Sequence, residues 1–333
     1  MPSSGDEKFG LSESPSLLDR GLIGLLSVLT KFFEILPIDQ GVALGASLGR
    51  VWGRLGGPRT RRVRRQLEAA MPNEEAGQRG LWAREVFVHL GRGLVELIIL
   101  RGRRRKELID RVRVEGLENL AAAERESSTG GLLIVTAHYG NWELACAKVV
   151  AQGIPISVVY REFENPTLDR ISVETRAAGW VPQGPSDPRD PGLEQIPMGR
   201  AGIRFVRALE AGRKVLVLLD QDADREDGVF VSFFGRPAST RSGPLALASF
   251  RAIPVLPAFI RRSPDGRSHV LEIHPALQLE PGASDDEGVL RRNTQEVTAV
   301  IEEAIRKSPG QWVWTHRRWR TQPLAGTDEP KSR

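Results

Sequence analysis

From about residue 112 onwards, short apolar runs alternate with stretches of helical spacing, and this alternation limits the folds open to the chain. Several runs have the length and residue types of strands, and they lie at 131–137, 154–160, 214–220, 253–260 and 268–274. Their unbroken apolar character is typical of strands that are covered on both faces. The pattern predicts an α/β fold in which a mostly parallel or mixed central sheet is flanked by helices.

The residues before this region are predicted to be helical. The segment 17–38 is strongly apolar, but Lys31 and Glu34 interrupt the run, so it is too polar for a spanning helix. We expect an interfacial helix that lies in one leaflet, with a buried core helix as the alternative. Glycines recur at every fourth position from Gly41 to Gly53, and this spacing predicts close packing against another helix.

These regions and the ends of the chain define four parts. Residues 1–14 and 323–333 are predicted to be flexible tails. The helical section, 15–110, is predicted to associate with a membrane, and the α/β domain covers 111–322. A Pro- and Gly-rich stretch inside that domain, 183–199, is predicted to be a long loop, which is usually functional or disordered at this length.

Positive charge is concentrated rather than spread evenly. The net charge is +5, and the dense stretches are 59–65, 101–106 and 316–320. Such clusters favour an anionic partner. The candidates are nucleic acid, an acidic carrier protein and a phospholipid surface. Because no helix-turn-helix, zinc-finger or RNA-binding aromatic motif accompanies them, we expect no nucleic acid partner. The single cysteine, Cys146, excludes a disulfide framework and is consistent with a reducing compartment.

The polar stretch HYGNWE, residues 138–143, directly follows an apolar run. Ligands in open α/β sheets bind beyond the carboxyl ends of strands, which is where His138 falls. Asn141 is a good N-cap for a helix that begins near Trp142, so Glu143 lies in its first turn. A carboxylate there can contact the imidazole, fix its tautomer and stabilise the imidazolium during general-base catalysis. No nucleophilic Ser or Cys signature accompanies the pair, so the base would act on a hydroxyl of the substrate.

Polar residues also follow other apolar runs. Arg161 follows the run at 154–160, and Asp220, Gln221 and Asp222 follow another run. Since the carboxyl ends of parallel strands meet at one edge of a sheet, these side chains are expected to converge there. Convergence of several polar clusters on one edge is difficult to explain by packing alone, so it indicates a functional site.

With these motifs the chain resembles the lipid A secondary (late) acyltransferases, within the wider group of H-x-x-x-x-D/E lysophospholipid and glycolipid acyltransferases. The matching stretches run in the family's order over about 110–322, and they are HYGNWE, VYREFENP, DQD, FFGRPAST and QWVWTHRRW. The glutamate at position 143, in place of the aspartate of glycerol-phosphate acyltransferases, points to the lipid A and glycolipid branch.

The resemblance implies a role for each matched residue. His138 would be the general base, Glu143 its orienting partner, and Arg161 a group that stabilises the oxyanion or binds phosphate. The expected substrate-binding residues are Asn141, Asp220, Gln221, Asp222, Arg241, Arg317 and Arg318. His316 and Arg320 would extend a basic rim for the headgroup or carrier, with Trp312, Trp314 and Trp319 as core or interfacial anchors.

The resemblance also implies the reaction and its partners. An acyl chain would move from an acyl carrier protein thioester, or acyl-CoA, to a glycolipid hydroxyl at the cytoplasmic face of the inner membrane, which is anionic. No cofactor other than the thioester co-substrate and no metal are expected.

Two departures from the family pattern keep the acceptor open. Gly310 stands where the family usually carries a glutamate, and the 183–199 loop has no counterpart in the pattern. Acceptors of the phosphatidylinositol mannoside or lysophospholipid type therefore stay as alternatives to a lipid A precursor. A lipid hydrolase and a non-catalytic basic membrane-binding module are the alternatives in other functional classes.

Overall fold

The computed structural model describes residues 17–179, 192–282 and 286–324. Its helices are α1 (Leu17–Ile35), α2 (Ile38–Leu55), α3 (Pro58–Ala70), α4 (Ala76–Arg101), α5 (Arg105–Asp110), α6 (Leu117–Glu126), α7 (Trp142–Ala151), α8 (Pro166–Gly179), α9 (Ala201–Glu210), α10 (Gly243–Phe250) and α11 (Glu287–Lys307). Its strands are β1 (Val112–Glu115), β2 (Leu132–Thr136), β3 (Ile156–Tyr160), β4 (Leu193–Pro197), β5 (Lys214–Leu218), β6 (Gly228–Phe233), β7 (Arg236–Arg241), β8 (Val255–Arg262) and β9 (His269–Ile273).

Seven strands form one sheet in the order β1-β9-β8-β2-β5-β3-β4. Neighbouring strands are parallel except for β8 and β9, which are antiparallel. Side chains of β2 alternate between two hydrophobic cores, because Leu133 and Val135 belong to one core and Leu132 and Ile134 to the other. Helices α3, α9, α10 and α11 cover one face, and α1, α2, α5 and α7 cover the other. The prediction of a mixed sheet with helices on both faces is confirmed.

Helices α2 and α4 pack with their backbones in contact. A Cβ at Gly45 would collide with the carbonyl of Gly91, and one at Gly49 would collide with the carbonyl of Phe87. The glycine spacing therefore has the predicted packing role. Helix α4 also connects the two cores, because Phe87 belongs to one and Val95 to the other. The N-terminal helical section thus shares its hydrophobic cores with the sheet.

Helices α1 and α2 expose many large apolar side chains. On α1 they are Leu17, Leu22, Leu25, Val28, Phe32 and Ile35. On α2 they are Leu44, Leu48, Val51, Trp52 and Leu55, which we call the α2 apolar surface. Phe33 of α1 is buried, so this helix has a core side as well as an exposed one. Among the helices of the described residues, none is long and apolar enough to cross a membrane.

Part of the predicted 183–199 loop is a strand. β4 runs parallel to β3 at the edge of the sheet. An edge strand is only partly covered by other elements, so its sequence need not be a continuous apolar run. β4 is a strand because it pairs with β3. The sequence also did not predict β1 or the antiparallel pair β6–β7. Residues 183–191 of the predicted loop, the tail at 1–14 and most of the tail at 323–333 lie outside the described residues.

Candidate active site

The carboxyl ends of β2 and β5 bring two polar side chains together. These strands are parallel neighbours, and Thr136 pairs with Leu218 at their ends. His138 and Asp220 each follow two residues later, so they leave the sheet side by side. His138 Nδ1 lies 2.9 Å from Asp220 Oδ1, and the backbone N–H of His138 donates to Asp220 Oδ2 at 2.8 Å. The register of two strands therefore creates a His–Asp pair at the edge of the sheet.

Asp220 is enclosed, whereas His138 reaches the surface. The Asp220 side chain is 1% exposed and accepts a second hydrogen bond from Trp312 Nε1 at 2.7 Å, while the His138 side chain is 28% exposed. Burial raises the pKa of Asp220, but the charge of His138 and the hydrogen bonds from His138 and Trp312 together have a larger effect in the opposite direction. The pKa is therefore below its ordinary value, and the carboxyl is ionised. A carboxylate only accepts hydrogen bonds, so Nδ1 of the neutral imidazole carries the proton and Nε2 is an acceptor.

The charges around His138 favour its protonated form. Burial lowers the pKa of the imidazole, whereas the charge and hydrogen bond of Asp220 and the charge of Glu143 raise it above its ordinary value. Glu143 lies in the first turn of α7, as the sequence predicts. We predicted that Glu143 contacts and orients the ring, but the hydrogen bond to Nδ1 comes from Asp220, because the register of β2 and β5 places Asp220 beside it. Glu143 acts on His138 through charge.

Glu143 has an arginine neighbour that the sequence did not single out. Burial raises the pKa of Glu143, and the charges of Arg176 and His138 act against this. Arg176 is buried, and its guanidinium lies over the rings of Tyr160 and Trp142 at 4.9 and 5.9 Å from their centroids. The Trp142 ring meets the His138 ring edge-on, with centroids 6.5 Å apart. Arg176 therefore balances the charge of Glu143 close to His138.

The turn that carries His138 requires a glycine. Gly140 has a φ of 61°, and a Cβ at this position would collide with the carbonyl of Ile260. The backbone N–H of Gly140 donates to the Gln311 carbonyl at 3.0 Å, and the Val313 N–H donates to the His138 carbonyl at 3.1 Å. The QWV stretch near the end of the chain therefore pairs with this turn and fixes its position.

A second polar network contacts the same turn, and the sequence did not predict it. Glu96 of α4 is 1% exposed, and its two carboxylate oxygens lie 2.7 Å from Nη1 and Nη2 of Arg262. Asn141 Nδ2 donates to Glu96 Oε2 at 2.9 Å, and His89 Nε2 lies 3.0 Å from the carbonyl of Gly140. His269 Nε2 lies 3.5 Å from Glu96 Oε1. We call this group the Glu96 network, and its members are Glu96, Arg262, Asn141, His89 and His269.

The Glu96 network is closed to solvent, and its pKa values follow from that. Burial is the main cause that lowers the pKa of His89 and of His269 to about 4. Burial opposes ionisation of Glu96, but the charge of Arg262 and the hydrogen bonds from Arg262 and Asn141 together contribute more, so the pKa of that carboxyl is lowered. At neutral pH the network therefore contains neutral histidines and one buried ion pair. The only signal in the sequence was a charged residue, Glu96, inside the apolar run LVELIIL.

Three residues that we predicted to bind substrate are buried and hold the site together. Asn141 caps α7 by accepting the Leu144 N–H at 3.1 Å, while its amide contacts the Glu96 network. Asp220 is bonded to His138. Arg318 is 0% exposed, donates to the backbone of β7 at 2.6 Å and lies over the Phe233 ring at 5.0 Å. Their burial corrects the prediction, because tertiary packing removes all three from contact with solvent.

The other two residues of the DQD stretch differ from one another. Gln221 Nε2 lies 3.2 Å from Nε2 of His138, so this amide lies beside the imidazole, and its contact with substrate stays a prediction. The Asp222 side chain is 1% exposed and accepts from Arg320 Nε at 3.0 Å, which again corrects a predicted substrate contact. The backbone N–H of Asp222 donates to His316 Nε2 at 3.2 Å. This bond brings His316 next to the site, where it interacts electrostatically with His138.

The remaining predicted arginines lie at the surface. Arg161 follows β3 directly and is exposed, as is Arg317. Arg241, at the end of β7, forms an ion pair of 3.0 Å with Asp227. The tryptophans of the last motif are buried and belong to the hydrophobic core, and they are Trp312, Trp314 and Trp319. Of the basic residues predicted to form a rim, Arg317 and Arg320 are therefore exposed, while Arg318 is not.

Gly310 lies against a carboxylate from another part of the chain. A Cβ at Gly310 would lie 2.5 Å from a carboxylate oxygen of Glu85, on α4. A glutamate at position 310 would therefore collide with Glu85. Burial raises the pKa of that Glu85 carboxyl.

The acidic residues near His138 are not arranged as a metal site. Asp220 and Asp222 receive N–H donors from the protein instead. Across residues 17–179, 192–282 and 286–324, no three His, Cys, Asp or Glu side chains are grouped so that they could hold a metal ion.

Comparison with known proteins gives one consistent family. The sequence family described as "Bacterial lipid A biosynthesis acyltransferase" matches residues 12–321. The lipid A biosynthesis lauroyltransferase of Escherichia coli (strain K12) is 26% identical over 290 residues, which cover 86% of this chain and 88% of the relative. The palmitoleoyltransferase of the same strain is 26% identical over 267 residues, 79% of each chain. A crystal structure of the 1-acyl-sn-glycerophosphate acyltransferase PlsC from Thermotoga maritima matches with 18% identity and a TM-score of 0.34, over 70% of this chain and 89% of that chain.

Proposed function

The chain belongs to the bacterial lipid A biosynthesis acyltransferase family, and from this premise we propose its reaction and the groups that perform it. The protein is an acyltransferase. We propose that it transfers a fatty acyl chain from an acyl carrier protein thioester to a hydroxyl of a lipid A precursor or related glycolipid. The observation that carries this proposal is the 2.9 Å contact between His138 Nδ1 and buried Asp220, which leaves Nε2 as an acceptor on a partly exposed ring.

In the proposed reaction, His138 acts as a general base. The acceptor hydroxyl donates to Nε2, and its oxygen attacks the thioester carbonyl while its proton moves to Nε2. The tetrahedral intermediate then collapses, the C–S bond breaks, and the imidazolium returns the proton to the thiolate of the carrier. The products are the ester of the glycolipid and a free thiol, and the imidazole is neutral again.

The two carboxylates have different tasks in this proposal. Asp220 accepts from Nδ1–H, so it selects the tautomer with an unprotonated Nε2 and stabilises the imidazolium that forms. Glu143 adds a second negative charge that favours the imidazolium, and Arg176 limits the strength of that effect. The general base therefore works with one hydrogen-bonded and one electrostatic partner.

We assign stabilisation of the oxyanion to Arg161. It follows β3, whose neighbour in the sheet is β5, so it leaves the same edge as Asp220. Its exposed guanidinium offers a rigid fork of donors that suits an oxyanion or a phosphate. Replacement of Arg161 by Lys retains the charge but not the fork, so we expect a substantial loss of rate from this change.

The donor carrier and the membrane are the proposed partners. The exposed apolar side chains of α1 and the α2 apolar surface support insertion into one leaflet of the inner membrane from the cytoplasmic side. The exposed arginines near these helices support attraction to anionic headgroups. An acidic carrier protein would be attracted by the same net positive charge of +5.

The proposal is tested with purified protein in neutral detergent. Acyl carrier thioester is supplied with and without a glycolipid acceptor, and both the acylated lipid and the free thiol are measured. We expect thiol release to require the acceptor, and replacement of His138 by Ala to lower kcat by about 10²-fold or more with an unchanged unfolding midpoint. Equal thiol release without acceptor would indicate a hydrolase, and a rate within a few-fold of wild type would remove His138 from the role of base.

A further inference from the structure

Four arginines form a cluster that has no neutralising carboxylate. Three of them are on α3 and one is in the last motif, and they are Arg59, Arg62, Arg65 and Arg317; we call them the α3 arginine cluster. Burial, followed by the charges of Arg317, Arg59 and Arg65, lowers the pKa of Arg62, so the four groups share one electrostatic environment. Among the described residues, no carboxylate lies within 4.0 Å of any of the four.

Some residues of the other basic stretches are paired with carboxylates. In the stretch 101–106, Arg104 pairs with Glu107 and Lys106 pairs with Asp110, each at 2.7 Å. In the stretch 316–320, Arg320 pairs with Asp222 at 3.0 Å. By contrast, none of the four arginines of the α3 arginine cluster has a carboxylate partner within the described parts of the chain, so their positive charge is available for a ligand.

Hydrogen bonds fix α3 to the segment beside the candidate active site. Arg62 Nη1 donates to the carbonyl of Thr315 at 2.8 Å. Gln66 Nε2 donates to the carbonyls of Trp314 and His316 at 2.6 and 2.7 Å. The ring of His316 accepts the backbone N–H of Asp222 and interacts electrostatically with the catalytic pair. The cluster is therefore held one residue away from a group that belongs to the site.

The cluster also follows the α2 apolar surface closely along the chain. That surface ends at Leu55, and α3 begins at Pro58 after two intervening glycines. Guanidinium groups that follow an apolar helix face along the chain, and that are bonded to the segment beside the proposed base, match a ligand with an acyl part, an anionic headgroup and a reacting hydroxyl. A donor carrier, which is a water-soluble acidic protein, has no need of the neighbouring apolar surface.

We propose that the α3 arginine cluster binds phosphate groups on the headgroup of the glycolipid acceptor and thereby directs its hydroxyl to His138. This inference rests on the proposed function, because it assigns a binding site to the acceptor of that reaction. Arginine suits the task because its planar fork can donate two parallel hydrogen bonds to a phosphate. Nη1 of Arg62 already donates to the Thr315 carbonyl. Arg59, Arg65 and Arg317 therefore supply most of the donors for a phosphate.

Helix α3 supplies its own matched control. Arg61 and Arg64 are exposed on the same helix and have the same charge, but they are not among the charges that act on Arg62. The double variant Arg59→Gln/Arg65→Gln and the double variant Arg61→Gln/Arg64→Gln each remove two positive charges. A difference between them measures the position of the charge and not the net charge of the protein.

The test measures binding and turnover separately in neutral detergent that contains no anionic lipid. The probes are a glycolipid acceptor that carries phosphomonoesters and the same glycolipid after enzymatic dephosphorylation. For Arg59→Gln/Arg65→Gln we expect the Kd and KM for the phosphorylated acceptor to rise about 10-fold, since two charge-assisted hydrogen bonds are lost. The KM for the donor should stay unchanged, and the control pair should change acceptor binding less than about 2-fold. The dephosphorylated acceptor should bind wild type and Arg59→Gln/Arg65→Gln alike.

Three results would overturn the proposal. A rise in donor KM with unchanged acceptor binding would assign the cluster to the carrier protein. Equal losses in the two double variants would reduce the effect to net charge. A defect that appears only when vesicles with anionic phospholipid replace the detergent would assign the cluster to the bulk membrane surface. Equilibrium binding of the acceptor does not depend on turnover, so failure of wild type to transfer an acyl chain would count against the proposed function alone.

Discussion

Two polar networks meet at the turn formed by residues 138–141, and they differ in their access to solvent. Each contains a buried carboxylate and a histidine, Asp220 with His138 in one and Glu96 with His89 in the other. His138 is 28% exposed and its pKa is raised, whereas burial lowers the pKa of His89 to about 4. The same side-chain types therefore produce a group that can accept a proton at one place and one that stays neutral at the other.

The difference follows from the partners of each carboxylate. Asp220 accepts hydrogen bonds from His138 and Trp312, so its negative charge acts on the imidazole. Glu96 is bonded through both oxygens to Arg262, so its charge is largely neutralised inside the network. Asp220, which has no guanidinium partner among the described residues, therefore raises the pKa of the proposed base, whereas Glu96, which has one, holds the turn that carries His138.

The largest expected effect comes from Asp220→Asn. An amide at this position can face Nδ1 with its NH₂ group, which favours the tautomer whose Nε2 carries the proton and cannot accept one. We expect kcat to fall by about 10²- to 10⁴-fold with little change in KM for the acceptor. Steady-state kinetics at saturating donor checks this. A loss smaller than that of Glu143→Gln would reverse the roles of the two carboxylates.

Glu96→Gln should affect stability before chemistry. It leaves the guanidinium of Arg262 buried without its counter-charge, so we expect the free energy of unfolding to fall by about 3–5 kcal/mol. Urea denaturation of the detergent-solubilised protein measures this change. The double variant Glu96→Leu/Arg262→Met removes both charges and should recover much of the loss. A double variant that is as unstable as Glu96→Gln would show that the ion pair itself is not the source.

The histidines of the two networks should change the free energy of unfolding in opposite directions as the pH rises. His89 and His269 have pKa values of about 4 in the folded protein, below the ordinary value of 6.5. The unfolded chain therefore binds more protons between these values, so stability should fall as the pH falls through this window. The raised pKa of His138 acts in the opposite sense, because its contribution is complete below 6.5 and is lost as the pH rises through the folded pKa.

Urea midpoints across this pH range test the assignment. His89→Gln keeps an N–H donor for the Gly140 carbonyl but removes the titrating group, so its stability should depend less on pH than that of wild type. An unchanged slope would show that His89 is not one of the groups responsible.

The smallest expected effect belongs to Glu143→Gln. This change keeps the size of the side chain and removes a charge that raises the pKa of His138. The acidic limb of the pH–rate profile should therefore move to lower pH, with kcat at its plateau within about 10-fold of wild type. A profile that does not move would leave Asp220 as the only carboxylate that acts on the base.

The sequence singled out His138, the proposed base, but not its hydrogen-bond partner Asp220. His138 follows an apolar run, and that position is enough to place it at a strand end. Glu143 was the nearest carboxylate along the chain, whereas Asp220 is adjacent only because β5 lies next to β2 in the sheet. Strand order is a tertiary property, so an apolar pattern does not contain it. His138 and Asp220 each lie two positions beyond the end of their strand. This equal spacing predicts a contact only when β2 and β5 are known to be neighbours in the sheet.

Charged residues were the least predictable part of the site. Arg318 and Asp222 lie in basic and acidic stretches that indicate solvent exposure, but packing against Phe233 and the contact with Arg320 bury them. Glu96 was visible only as a charge in an apolar helix, because its partner Arg262 comes from a distant strand. Whether a charge is exposed depends on contacts between elements, which local sequence does not specify.

The central claim is that Asp220 holds His138 in the tautomer with an unprotonated Nε2 and raises the pKa of the imidazole. The direct measurement is a pH titration of the His138 ring nitrogens by NMR with ¹⁵N-labelled histidine, in which His138→Gln identifies the signals. In wild type we expect Nδ1 to carry the proton in the neutral ring and the pKa to lie above 6.5. In Asp220→Asn the proton should move to Nε2 and the pKa should fall. A neutral wild-type ring protonated at Nε2, or a pKa unchanged by Asp220→Asn, would contradict the claim.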